Sequence, residues 1–108
     1  MSIEKRYSAA RDKYFAQNPA AVREINAVRR GVIEASGSTV EEYHEQRRIM
    51  VFADAAKAHG LETDEFVIRL MAESPEQAQE WRLERHRQIA NAVGMEWSEY
   101  KQLNRIAE

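Results

Sequence analysis

Three copies of one seven-residue phrase constrain what this chain can fold into: "GSTVEEY" at 37–43, "GLETDEF" at 60–66 and "GMEWSEY" at 94–100. Each opens on Gly and closes on Glu followed by an aromatic ring. Gly60 and Gly94 follow helical runs and suit the left-handed residue just past a helix end, where a Cβ is penalised. The next residue, Leu61 or Met95, then falls at N′ of a new helix, and Phe66 or Tyr100 falls at N4. That apolar pair forms a hydrophobic staple, while Glu65 or Glu99 at N3 can reach back as in a capping box. In the first copy Thr39 is the cap and Glu42 its partner, with Ser38 in place of the apolar staple residue. Each phrase is therefore an elbow between two helices. The copies begin 23 and then 34 residues apart, and unequal spacing excludes a solenoid, which needs a fixed period.

The other punctuation agrees. "NPAAV" places Asn18 at an N-cap and Pro19 at N1, where its missing N–H costs nothing. "SPEQ" does the same with Ser74 and Pro75, and Gln77 at N3 completes a capping box. Between these signals apolar residues recur at helical spacing: Ile3, Tyr7, Ala10 and Tyr14, then Val22, Ile25, Val28 and Val32. No stretch alternates with period two for long enough to argue a strand. The reading is an all-α fold: a single compact domain over 1–108, with about six helices near 3–17, 19–35, 40–59, 63–73, 75–92 and 97–107, joined by short Gly elbows. Gly31 costs the second helix about 1 kcal/mol relative to Ala, so that helix is a candidate to break early. "IMVFA" at 49–53 is apolar on all sides and predicts the most buried part of the chain.

Composition excludes more than it offers. Sixteen basic against eighteen acidic residues leave a net charge of −2, so no overall field draws nucleic acid or an anionic membrane. Cysteine is absent, which removes disulfides, thiolate catalysis and Cys-based metal sites and fits a reducing cytoplasm. The first twenty residues carry charges throughout and lack a signal-peptide core. The longest uncharged apolar run, 49–53, is far too short to span a bilayer. The expectation is a soluble cytoplasmic protein.

Chemistry-bearing residues are sparse. Glu41 and His44 share a helix face at the spacing that di-iron bundles use, but those bundles use the motif twice with further Glu residues. His59 has no Glu three positions before it and His86 has Leu83 there, so only a symmetric partner could complete such a site. His59, before Gly60, suits a helix C-terminus. His86 lies between Arg85 and Arg87 and reads as a surface residue or a salt-bridge neighbour. "DEFVIRLMAE" at 64–73 has the look of a helix leaving a calcium loop. With Asp54 as the first ligand, however, Ala56 and Ala58 occupy further ligand positions and Gly60 falls one place late. There is no phosphate loop or dinucleotide fingerprint. The expectation is no catalytic residue, no cofactor and no bound metal.

One stretch bears on DNA. "HRQIANAVGMEWSEYKQLNR" (86–105) has Ala90 four positions before the turn Gly94, with Ile89, Val93, Met95, Tyr100 and Leu103 at apolar positions. In this it resembles a DNA-binding helix-turn-helix unit. The resemblance implies that Arg87, Lys101, Gln102, Asn104 and Arg105 meet phosphates and base edges. Trp97 is bulkier than that pattern wants, and Glu96 and Glu99 place negative charge at the end that approaches phosphate. The wider segment "RLERHRQIANAVGMEWSEYKQLN" also resembles small uncharacterised bacterial proteins, implying a stand-alone helical domain of a bacterial cytoplasm. The preferred expectation is a non-catalytic protein–protein interaction module or homodimer. A helix-turn-helix regulator using 86–105 is the alternative.

Overall fold

The computed structural model describes residues 2–106. Among them are seven helices and no strand: α1 (Ile3–Gln17), α2 (Pro19–Asn26), α3 (Arg30–Ala35), α4 (Val40–Ala58), α5 (Thr63–Met71), α6 (Pro75–Ala92) and α7 (Trp97–Asn104). The fold is all-α, as the punctuation predicts. Contacts gather within two compact units, Met1–Met71 and Ala72–Glu108, and each is described by itself.

The elbows form because the backbone polar groups at each helix end find local partners. Gly60 and Gly94 both adopt φ 71°. Leu61 N–H then donates to the Ala56 carbonyl at 2.9 Å and Met95 N–H to the Ala90 carbonyl at 2.9 Å. Gly60 N–H and Gly94 N–H reach Lys57 and Asn91 at 2.9 and 3.2 Å. These paired bonds are the Schellman motif, which satisfies carbonyls that the helix leaves orphaned. The end of α3 varies the solution: the Ile33 carbonyl accepts the Ser36 hydroxyl at 2.6 Å. A fourth such end closes α7, where Arg105 takes the left-handed conformation at φ 53°. Ile106 N–H donates to the Lys101 carbonyl at 2.9 Å. The helix therefore stops at Asn104, short of the expected 107, and the left-handed Arg105 costs about 1–2 kcal/mol that a glycine would avoid.

Helix starts follow the cap chemistry, with two amendments. Thr39 Oγ1 accepts from Glu42 N–H at 3.1 Å and Ser74 Oγ from Gln77 N–H at 3.1 Å. The return bond of the Ser74 box goes one residue upstream, from Glu73 N–H to Gln77 Oε1 at 2.8 Å. Asn18 makes no side-chain cap for α2. Its amide turns back and donates to the Tyr14 carbonyl at 2.8 Å, closing α1 instead. The cap that starts α1 is Ser2, whose hydroxyl accepts from Lys5 N–H at 3.2 Å.

The helix expected over 19–35 is two helices. The chain leaves α2 after Asn26 and passes through an extended Arg29 (ψ 140°) before α3 begins, so the break precedes Gly31. Neither Gly nor Pro stands at 27–29. The interruption resets the helical register by one residue: Ile33 is buried at 2% exposure while Val32, the expected stripe member, is 61% exposed.

In the first unit α1 packs against α5, α4 and α2, and α4 against α2, α3 and α5. Ala10, Phe52, Ala56, Phe66 and Val67 form the buried cluster, with Tyr7, Tyr14, Leu61, Leu70 and Met71 packed around it. Ala10 and Ala56 are fully buried, and their small side chains let α1 and α4 approach closely. Tyr14 meets Phe52 and Phe66 edge-on at 5.8 and 6.2 Å, and Phe52 lies 5.1 Å from Phe66. Lys13 Nζ donates to the Leu70 carbonyl at 2.7 Å, tying α1 to the end of α5. The expectation that 49–53 is the most buried stretch holds for Phe52 alone among its large side chains. Ile49 and Met50 are 46% and 52% exposed, because only one face of α4 meets its neighbours.

The second unit is the α6–α7 pair. Ala78, Ala90 and Tyr100 are its buried residues. Ala90 and Tyr100 flank the Gly94 elbow.

Candidate functional site

At the Gly94 elbow, side chains from α6 and α7 build a cluster of rings and cations. Trp97 and Tyr100 lie one turn apart and stack, centroids 5.7 Å apart and planes 16° apart. The Arg87 guanidinium lies 5.2 Å from the Trp97 centroid and Lys101 Nζ 5.9 Å from it. Both are within cation–π range. His86 Nδ1 stands 2.9 Å from the Tyr100 hydroxyl. His86 is thus a half-buried hydrogen-bonding residue that ties α6 to α7, where the sequence suggests a surface residue or a salt-bridge neighbour. The spacing of Trp97 and Lys101, four apart on one helix, was a usable signal for this cluster. Its α6 members are set by the elbow geometry.

The five residues that the helix-turn-helix resemblance singles out are thereby placed. Arg87 and Lys101 gather on Trp97. The Asn104 amide donates to the Tyr100 carbonyl at 3.0 Å, one turn back in its own helix. Gln102 is exposed. Arg105 is also exposed but lies past the end of α7, in the left-handed cap.

A second feature lies wholly within the first unit. The break at 27–29 and the start of α4 bound an open cleft of about 770 Å³, whose lining includes both Glu41 and His44. Asn26 and His44 also line a smaller recess of about 150 Å³ with Phe15, Val22, Ile25 and Arg48. Arg48 is held at that recess by Asp12, at 2.8 Å, with its guanidinium 4.9 Å from the Phe15 centroid. The expected same-face relation of Glu41 and His44 is what brings both into the cleft. The cleft itself depends on the helix break, which no residue at 27–29 announces. Among the described residues no three His, Cys, Asp or Glu side chains gather in a way that could hold a metal ion. His59 occupies the C-cap of α4 and stacks on Phe66, centroids 5.4 Å apart.

Short capped helices, Schellman elbows and no strand among the described residues define a small all-α protein, and none of its described helices is long and apolar enough to cross a membrane. The chain belongs to the family of unknown function DUF6388, whose model matches residues 1–106. No curated protein and no solved structure matches it.

Proposed function

We propose that the protein is a non-catalytic interaction module of the bacterial cytoplasm that pairs with a second copy of itself. The observation that carries this reading is the exposure of the Gly94 elbow's own apolar positions, Val93 at 62% and Leu103 at 72%. A second copy presenting the same residues about a twofold axis would cover them, since a twofold interface is self-complementary. Two tryptophans and four methionines in so short a chain add side chains favoured in interface cores.

A non-catalytic role is supported by the scatter of the titratable side chains: His44, His59 and His86 stand in three separate surroundings, each beside an aromatic ring. A cytoplasmic setting is supported by the cysteine-free composition. The engagement of Arg87 and Lys101 with Trp97, and the position of Arg105 beyond α7, favour a protein partner over DNA.

Sedimentation equilibrium of the full chain tests the reading. The native protein is expected to be a dimer at micromolar concentration, and the double variant Val93→Glu/Leu103→Glu a folded monomer. A native protein that stays monomeric, or a variant that still pairs, refutes pairing through this elbow. Submicromolar, salt-sensitive binding to duplex DNA that Lys101→Ala weakens would install the DNA-binding reading in its place.

A further inference from the structure

The polar side chains that line the cleft at the α2–α3 break fall into two groups. Thr39 is occupied, its hydroxyl capping α4 by accepting from Glu42 N–H. The side chains of Asn26, Arg29, Ser38, Glu41 and His44 also line it, and none of these side chains makes a hydrogen bond or ion pair among the described residues. The neighbouring Arg30 is spoken for by Glu34 at 2.7 Å. The unpaired charges are therefore one cation, Arg29, and one anion, Glu41. Val28, Ile33 and Val40 are apolar members of the same lining. Asn26 and His44 are shared with the smaller recess, whose other walls include Phe15, Val22 and Ile25.

We infer that this cleft binds a free α-amino acid with an apolar side chain. One unpaired guanidinium and one unpaired carboxylate match the two charges of a zwitterion. Arg29 takes the ligand carboxylate, where its fork allows two parallel bonds. Glu41 takes the ammonium, and the Asn26, Ser38 and His44 side chains supply neutral hydrogen bonds. The apolar side chain enters the recess, whose volume of about 150 Å³ is that of a cavity able to hold benzene. The cleft, at about 770 Å³, lies within the usual range of small-molecule sites. This inference uses the first unit alone and stands or falls separately from pairing through Val93 and Leu103.

The test is a ¹H–¹⁵N spectrum of the full chain titrated with L-leucine and with L-phenylalanine up to about 10 mM, a ceiling that captures millimolar sites. Isovalerate, which lacks the ammonium, and isoamylamine, which lacks the carboxylate, are the controls. Saturable shifts confined to amides of 26–44 are expected for at least one amino acid, with both controls weaker by about tenfold or more. Arg29→Ala and Glu41→Gln should each weaken that binding by about tenfold, while their spectra outside the cleft stay native. No saturable shift with either amino acid, equal binding of a control, or unchanged affinity in both variants would overturn the inference.

Discussion

Phe52 and Ile49 lie within one turn of each other on α4, in a stretch whose sequence treats them alike, yet the fold uses them differently. Phe52 is 1% exposed and Ile49 46%. Truncating a buried Phe to Ala costs about 3–5 kcal/mol. The edge-on Tyr14 and the tilted Phe66, at 5.8 and 5.1 Å, push Phe52→Ala toward the upper end, because each aromatic pair adds about 0.5–1.5 kcal/mol beyond burial. A unit ending at Met71 has roughly 4–10 kcal/mol to lose at the usual stability per residue, so this variant stands near unfolding. Phe52→Leu keeps most of the volume, forfeits the ring pairs and should cost about 1–2 kcal/mol. Ile49→Ala removes atoms already half in water and should cost at most about 1 kcal/mol. Urea denaturation followed by far-UV circular dichroism gives all three values. An Ile49→Ala loss as large as that of Phe52→Leu would refute the one-sided burial of α4 on which the account of the core rests.

The glycines separate by conformation rather than by space, since an added Cβ meets nothing within 4 Å at Gly94 or at Gly31. Gly94→Ala should lower stability by about 1 kcal/mol because φ 71° penalises any Cβ, whereas Gly31→Ala, inside α3, should raise it by up to about 1 kcal/mol; chemical denaturation of the two variants must show opposite signs. Ser74→Ala removes the acceptor for Gln77 N–H and should cost about 1 kcal/mol, measurable as faster amide hydrogen exchange in the first turn of α6.

The parts of this molecule legible in its sequence are those decided by chemistry within a few residues. The Gly60 and Gly94 elbows, the Thr39 and Ser74 caps and the seam at Ala90 and Tyr100 all follow from local rules. The break between α2 and α3 does not, because Ala27, Val28 and Arg29 are each acceptable helix residues and the interruption serves to aim Ile25 and Ile33 inward. An unbroken helix would bury Val32, whereas the register after the break buries Ile33. The exposure of Ile49 and Met50 was equally hidden, since an apolar run does not say how many neighbours a helix has. Of the candidate sites, Glu41 and His44 could be placed on one face from their spacing, but the cleft they join is a product of the break. The partnership of Arg87 with Trp97 and of His86 with Tyr100 depends on how α6 and α7 meet across the elbow, which residue spacing along one helix does not state.

The stacking of Trp97 on Tyr100 has an optical consequence. Both tryptophans of the chain, Trp81 and Trp97, fall in the unit Ala72–Glu108, while the unit Met1–Met71 has tyrosine and phenylalanine only. Emission excited selectively in tryptophan is therefore a native label for the α6–α7 pair, and the nearby Arg87 and Lys101 charges should tune its wavelength. Tryptophan emission therefore follows the melting of the α6–α7 pair in an unmodified sample.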